Sequence, residues 1–308
     1  VTSNPFKQTK ATWLVELEIL FKFIEELTTI FEPLTSFLSV FEVTAGPSYE
    51  SLPTDIWKLQ LFFEESPNQQ LIENILKEFA EHHNIDKIEF STTLVDDRDW
   101  VKQVQENSPP LNIPGYFIYG SHYKGNYPSC SYPILIDAGR AFGSGSHETT
   151  SGCLEAFNLL AKNFKFKNML DMGAGSAILA IAMAKTWKNK VNAVDIDSQA
   201  VQIATRNVSI NHVKKYVSSA QSNGYKSRVV KQYGPYDLVA ANILAKPLVK
   251  FAHELRNNLR KNGTVVLAGL LTRQERMVIS AHVQQKIFLT KRIKKGAWSI
   301  LILSKKSL

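Results

Sequence analysis

Two aspartates and a pair of glycines set out the chemistry open to this chain. Asp171-Met172-Gly173-Ala174-Gly175-Ser176-Ala177 follows an apolar run, Asn168-Met169-Leu170, and precedes a stretch of helical character, Ile178 to Lys185. That order predicts a strand, a glycine turn and a helix. A second apolar strand, Val191 to Val194, leads into Asp195, 22 residues after Gly173. Glycine lets the backbone approach a ligand closely, and an acid at the end of the next strand can hold the hydroxyl pair of a ribose. The two segments read together as a site for a nucleoside cofactor. The plain alternative is a strand, turn and helix that binds nothing, and spacing alone does not separate the two.

The residue types narrow the nucleoside. A dinucleotide fingerprint needs a third glycine at the sixth position, to pack helix against strand beside a pyrophosphate; counted from Gly173, that position is Ile178. No G-x-x-x-x-G-K-[ST] segment offers a phosphate cradle. An acid opening the turn (Asp171), two glycines and an acid ending the next strand resemble the S-adenosylmethionine site of Rossmann-like methyltransferases. The resemblance implies a glycine turn (Gly173, Gly175) beneath the methionine part and Asp195 on the ribose.

Bulk properties bound the rest. At 308 residues the chain has room for two domains, and 44% hydrophobic with 21% charged residues is ordinary for a globular protein. No apolar run approaches the ~18 residues of a membrane span, so no membrane role is expected. Val1-Thr2-Ser3-Asn4-Pro5 carries no basic stretch leading into a signal-peptide core. Cys130 and Cys153 lie in no metal or redox spacing, which predicts free thiols, no metal and a cytoplasmic setting. The net charge of +8 conceals an asymmetry: residues 1–105 carry −10 and residues 106–308 carry +18. An acidic half can attract a basic protein and a basic half can lie near RNA, although solubility alone would also account for both.

Periodicity predicts β-α-β-β-α-β over the first domain, residues 1–105: strand Trp13 to Ile19, helix Leu20 to Phe31 ending before Pro33, strands Phe37 to Val43 and Ile56 to Phe63, helix Asn68 to His83, strand Lys87 to Thr93. That order is ferredoxin-like, a small α+β fold. His82-His83 reads as a solvated helix end, since no further His or Cys sits at ligand spacing. Residues 106–136, rich in Pro, Gly, Asn, Ser and Tyr, read as a linker leading into the second domain, with short strands at Tyr116 to Tyr119 and Ile134 to Ile136. Over residues 137–308, strands and helices alternate, which predicts a doubly wound α/β sheet of Rossmann-like form. In it, Asp171, Asp195 and Asn242 fall at carboxyl ends of strands, where such sheets bind ligands. Lys291-Arg292-Ile293-Lys294-Lys295 reads as a solvated loop or an RNA contact, and Trp298 as core.

Three stretches, in order, carry a family resemblance: Ala141-Phe142-Gly143-Ser144-Gly145-Ser146-His147-Glu148-Thr149-Thr150, the glycine turn with Val194-Asp195-Ile196-Asp197, and Val239-Ala240-Ala241-Asn242-Ile243-Leu244. They resemble the PrmA-like methyltransferases of large-subunit ribosomal protein eleven, specifically across residues 137–308 and by domain order alone over residues 1–105. The resemblance implies S-adenosylmethionine as cofactor, with Thr150, Gly173 and Asp195 as contacts and Asn242 at the active-site strand end. It implies a large-subunit ribosomal protein as partner, recognised by the first domain, and a monomer. Ser144 and Ser146 replace family threonines and keep the hydroxyl, whereas Ala177 replaces a glycine and adds a methyl beside the cofactor.

Asn242 also speaks about the acceptor. Enzymes that methylate planar amines often follow this residue with Pro-Pro and an aromatic ring that stacks on the target. Here Ile243-Leu244 follow, which suits an aliphatic amine, a lysine or a chain N-terminus. Such an amine must first lose a proton; a model lysine has a pKa of about 10.4, and burial beside a cationic sulfonium lowers it. Alignment by Asn242 then does most of the work, with His147 and Glu148 as candidate proton acceptors of chiefly positional value. The rival readings are an RNA methyltransferase, prompted by the basic second domain, and a cofactor-binding protein that has lost catalysis, prompted by Ala177.

Overall fold

The computed structural model describes residues 12–35, 37–43, 54–95, 110–136 and 147–306. Ala141 to Ser146 of the first family stretch therefore lie outside the described residues. The chain divides into two compact units, Val1–Asn107 and Ser108–Leu308.

Unit 1 runs β1 (Thr12–Leu20), α1 (Phe21–Phe31), β2 (Phe37–Glu42), β3 (Ile56–Phe63), α2 (Gln69–His83) and β4 (Phe90–Val95). The sheet order is β2-β3-β1-β4 with every neighbouring pair antiparallel, the ferredoxin-like arrangement. One apolar face of each helix closes on one face of the sheet: Phe23, Leu27 and Phe31 from α1 and Ile72, Leu76 and Phe79 from α2 join Val15, Leu17, Leu59 and Leu61. Burying each such side chain contributes about 1.5–3 kcal/mol against the entropy of ordering the chain. A single turn of 3-10 helix at Glu32–Leu34, with Pro33 in it, ends α1. Asn68 caps α2 by accepting from Leu71 N at 3.1 Å, and Asn84, at φ +50°, closes its other end.

Two expectations change in this unit. The last strand starts at Phe90 rather than Lys87: residues 85–89 connect the left-handed cap at Asn84 to the first paired residue, Phe90 opposite Leu17. His83 is not a solvated helix end. Its ring packs 4.4 Å from Phe79 and 4.9 Å from Phe23, and Nε2 lies 3.1 Å from Glu26 Oε2. His82 is exposed.

Unit 2 opens with a three-stranded sheet, β5 (Leu111–Ile113), β6 (Tyr116–Tyr119) and β7 (Tyr132–Leu135). Tyr116, Ile118, Ile134 and Ile136 belong to the main core of this unit. The Asn211 side chain clamps β7 through both of its amide atoms, donating to Leu135 O at 2.7 Å and accepting from Leu135 N at 2.9 Å.

The remainder is α3 (His147–Ala161), β8 (Asn168–Met172), α4 (Ile178–Trp187), β9 (Lys190–Asp195), α5 (Ser198–Ile210), β10 (Val217–Gln221), α6 (Arg228–Tyr233), β11 (Tyr236–Asn242), α7 (Ala245–Lys250), α8 (Ala252–Asn258), β12 (Leu259–Leu271), α9 (Glu275–Val283), β13 (Ile287–Lys295) and β14 (Trp298–Lys305). The seven strands lie in the order β10-β9-β8-β11-β12-β14-β13. The first five are parallel, and β14 runs antiparallel to both of its neighbours. Buried strands such as Val239-Ala240-Ala241 are apolar on both faces because helices cover both. Strand order reverses at β8, which places a crevice at its carboxyl end.

Departures from the sequence expectation cluster away from that crevice. Between β11 and β12 the alternation holds two short helices rather than one, broken at Phe251; Pro247 is tolerated because it falls in the first turn, where its missing N–H has no helical partner. Strand β10, Val-Ser-Ser-Ala-Gln, and the six-residue α6 have too little apolar periodicity to stand out. Residues 291–295 are no loop but part of β13, an edge strand. Its Lys291 and Lys294 are exposed, as edge strands need if they are not to pair with another chain. Arg292 Nε meets Glu275 Oε2 at 2.7 Å, Glu275 Oε1 accepts from Ser299 Oγ at 2.5 Å, and Lys295 pairs with Glu155 at 2.7 Å. Two of the four basic side chains are thus committed within the fold. Trp298 is half-buried rather than fully in the core.

Arg292→Met leaves the carboxylate of Glu275, itself only 8% exposed, without its cation. We expect it to cost about 1–2 kcal/mol in urea unfolding, discounted because the arginine is 43% exposed. Lys291→Ala should stay within about 0.5 kcal/mol. Equal effects would mean that the Glu275 pair contributes nothing.

Candidate functional site

The crevice is built from the carboxyl ends of β8, β9 and β11. At β8, the chain turns through Gly173 (φ +72°) and Gly175 (φ +52°) into α4. The turn is tied to β9 by backbone bonds: Gly173 N and Ala174 N both donate to Val194 O, at 2.8 and 3.0 Å. Gly175 N donates to Asp195 Oδ2 at 2.8 Å, and Asp197 N donates to Asp195 Oδ1 at 3.1 Å. Both oxygens of Asp195 are thereby aimed by backbone, and the side chain remains partly exposed at the strand end.

Asp171 sits differently. It is 1% exposed, and its Oδ2 accepts from Ala180 N at 2.9 Å, in the first turn of α4. Ala177 occupies the cap position of that helix and has no side chain able to cap it. Asp171 therefore supplies from the preceding strand the acceptor that a Ser or Asp would supply at the cap. Its other oxygen, Oδ1, is buried without a hydrogen-bond partner. Burial pushes the carboxyl up to about 7; the Ala180 N–H opposes this and the charge of Asp195 adds to it. Ala177 also holds φ +63°, a left-handed conformation that glycine adopts more readily. The methyl read from sequence as an intrusion beside a ligand is completely buried among core residues.

At β11, Asn242 ends the strand half-buried, and its Nδ2 lies 3.3 Å from Thr149 Oγ1 in the first turn of α3. Thr149 and Thr150 are both buried, and it is Thr149 that reaches Asn242. Ile243 then fills the space between three strand ends. A Cβ on Gly173 would collide with its Cγ2, and a Cβ on Gly269 (φ +80°) would lie 2.8 Å from its carbonyl carbon and 2.9 Å from its nitrogen. The pairing of β12 with β14 shifts register between Leu267 and Leu270, and the glycine sits in that irregularity. Ile196 and Leu244, 63% and 61% exposed, are the two most exposed large apolar side chains among the described residues. Each follows a strand end of the crevice, where an apolar surface implies something to cover it.

The residues singled out by sequence thus fall into two layers. Gly173, Gly175, Asp195 and Asn242 line one edge of the sheet, while Asp171 lies beneath the turn. Thr149, Ile196 and Gly269 were not assigned roles. Thr149 and Ile196 adjoin residues that were, and Gly269 was legible only as a glycine inside a strand. Glu148 is exposed at the start of α3. Cys153 is buried, and burial and then the Asp171 charge push its thiol up, which keeps it inert. Among the described residues no group of three His, Cys, Asp or Glu could hold a metal, and no helix is long and apolar enough to cross a membrane.

The Asp195 carboxylate beside the glycine turn opposes a phosphate and favours a ligand with hydroxyls to donate. A seven-stranded sheet with β14 reversed, carrying this turn at its switch point, defines a Rossmann-like methyltransferase. Comparison with known proteins makes this particular. The sequence profile of "Ribosomal protein L11 methyltransferase (PrmA)" matches residues 28–306. A ribosomal protein L11 methyltransferase of Caulobacter sp. (strain K31) is 41% identical over 210 residues, 68% of this chain and 72% of that one. The relative from Bradyrhizobium diazoefficiens is 34% identical over 265 residues, 86% and 89% of the two chains. The crystal structure of a ribosomal protein L11 methylase from Lactobacillus delbrueckii subsp. bulgaricus superposes with a TM-score of 0.58 at 25% identity, covering 65% of this chain and all of that one. The chain belongs to the ribosomal protein L11 methyltransferase (PrmA) family.

Two expectations follow from the geometry. Gly269→Ala should destabilise by about 3 kcal/mol or more, since left-handed strain adds to a collision with backbone that cannot yield. Gly173→Ala should cost less, because the Ile243 methyl can move. Thermal unfolding orders the two, and equal losses would contradict the wedge. For Asp171, the folded pKa is raised above an unfolded value of about 3.9. Its penalty is absent below pH 4, where the carboxyl is protonated in both states, and complete above about 7. Asp171→Asn should therefore gain on the native protein by roughly 1.4 kcal/mol per pH unit across that window; a flat difference would mean an unshifted carboxyl.

Proposed function

We propose that this protein transfers methyl groups from S-adenosylmethionine to aliphatic amines, lysine side chains or a chain N-terminus, of large-subunit ribosomal protein L11, in the cytoplasm and as a monomer. The observation that carries this reading is the gathering, on one sheet edge, of a glycine turn flanked by two carboxylates and an asparagine followed by Ile-Leu. The residues present fit the cofactor: Asp195 offers two aimed acceptor oxygens that would take ribose hydroxyls, and its negative charge suits a ligand that carries no phosphate. When bound, the cofactor supplies an electrophilic methyl on sulfur.

The chain's own residues then do the following. Gly173 and Gly175 let the backbone lie close under the ligand. Asp171 acts from below by fixing the start of α4 and with it the turn. Thr150, at the start of α3, would hold the carboxylate end of the cofactor, where helix geometry favours an anion. Asn242, oriented by Thr149, accepts from the acceptor amine through its side-chain carbonyl and points the nitrogen lone pair along the transfer line. Leu244 gives the amine's carbon chain an apolar wall in place of the stacking ring used for planar targets. The lost proton passes to water or to Glu148, so alignment rather than a strong base supplies the rate. The basic charge of residues 106–308 suits work near ribosomal RNA.

The test is mass spectrometry of purified ribosomal protein L11 after incubation with this protein and S-adenosylmethionine. Methyl-sized increments are expected on amines, and none with Asn242→Ala. Asp195→Ala should weaken cofactor binding by calorimetry at least tenfold. Unmodified protein alongside methylated ribosomal RNA would instead establish the RNA reading, and cofactor binding with no transfer to either would establish a silent site.

A further inference from the structure

The two ends of the seven-stranded sheet differ in charge. Asp195 and Asp197 stand at the carboxyl ends of the strands, in the crevice. At the amino ends, residues 161–168, 187–190 and 211–216 lead into β8, β9 and β10. These segments hold seven lysines in 18 residues and no aspartate or glutamate. Parallel register sets them side by side, with Asn168 opposite Lys190 and Val217 opposite Val191. Lys165, Lys167, Lys188, Lys190, Lys214 and Lys215 are all exposed there. Asp237, the acid at the start of β11, is committed to Arg260 at 2.8 Å and to the amides of Lys167 and Asn168 at 2.9 and 3.0 Å. Like charges crowded in this way repel one another, and a polyanion relieves the repulsion while releasing its own counterions.

Aromatic rings accompany the lysines. Phe164 is 47% exposed and lies parallel to buried Phe166 at 5.8 Å. Lys215 Nζ sits 4.8 Å above the half-buried ring of Tyr216. The segments are also bonded to one another: Trp187 Nε1 donates to Phe164 O at 3.0 Å, Asn189 Nδ2 to Phe166 O at 3.1 Å, and Val191 N to Tyr216 O at 2.9 Å. Charges and rings therefore keep fixed places. Lysines that track a backbone, beside a ring with a free face, are what an unpaired nucleic-acid strand needs.

We infer that this amino-end edge docks single-stranded RNA, with the lysines on its phosphates and a base stacked on Phe164. The choice of RNA over DNA rests on the functional reading above, which makes a ribosomal protein the substrate; the surface itself does not. RNA held here is a tether and not a methyl acceptor. Strands β8 and β11 are five and seven residues long, which sets this edge about 17–23 Å from the crevice.

The experiment measures fluorescence anisotropy of a labelled oligouridine of about 12 nucleotides with the full chain and two variants, without cofactor or protein acceptor. One replaces Lys165, Lys188, Lys190 and Lys215 by Gln; the other is Phe164→Leu, which keeps an apolar cover over Phe166. Thermal unfolding and S-adenosylmethionine binding, expected unchanged, check that both fold. The lysine variant should lose about tenfold or more in affinity, and its dependence of log K on log salt concentration should flatten by about 3. Phe164→Leu should lose about fivefold or more with the salt dependence unchanged. Oligouridine incubated with the native chain and S-adenosylmethionine should gain no methyl group. No binding by the native chain, or equal binding by both variants, overturns the inference and leaves the functional reading standing. Tighter binding to poly-glutamate or to phosphatidylserine vesicles than to oligouridine overturns it in favour of an acidic protein or a membrane surface, and tighter binding to oligothymidine overturns the choice of RNA. Methylated oligouridine overturns the tether. Failure of methyl transfer to ribosomal protein L11, with these binding results intact, counts against the functional reading alone.

Discussion

The crevice depends on how a five-residue turn is held. Gly173 through Ala177 must leave β8, cross the crevice and enter a helix without a capping side chain of its own. Three constraints make that conformation single-valued. Val194 O takes two of its amides, Asp195 takes a third, and Asp171 takes the Ala180 amide at the start of α4. Each is a bond to an adjacent strand end, so the turn inherits the rigidity of the sheet. The cost is a carboxylate buried with one oxygen unpaired and an alanine in left-handed backbone. Strain of this sort survives only where the surroundings over-determine it, and it gathers at ligand sites.

From that turn the order propagates sideways. Ile243 rests against Gly173 on one side and Gly269 on the other, which ties together the ends of β8, β11 and β12. Asn242 is carried by the same contact and steadied by Thr149 from α3. The apolar strands beneath, buried on both faces, turn this local arrangement into a property of the whole sheet. Precise placement of a methyl donor against its acceptor is the demand such stacking meets.

Much of this was legible beforehand, and what escaped did so for physical reasons. A strand, glycine turn and helix announce themselves because each step needs a particular residue type, and Asp195 announces itself by ending an apolar run. Side-chain partners across strands do not, because pairing depends on sheet order. Nothing local tells that Asp171 caps a helix nine residues later, or that Thr149 rather than Thr150 meets Asn242. Strand β13 was hidden by Lys291, Arg292, Lys294 and Lys295, whose charges belong to an edge rather than to a loop. The early start assigned to β4 came from reading Ile88 as strand when it is a buried residue of the connection after α2.

The clamp of Asn211 on Leu135 has a consequence for modularity. A stretch rich in proline and glycine looks like a tether that can be cut, yet residues 110–136 deliver Tyr116, Ile118, Ile134 and Ile136 to the interior of unit 2. The methyltransferase body therefore carries its own leading sheet as an integral layer. A chimera that exchanges unit 1 among relatives would need its seam ahead of Leu111. A graft made after Ile136 would strip away an inner wall of the body and leave both amide atoms of Asn211 without their β7 partner.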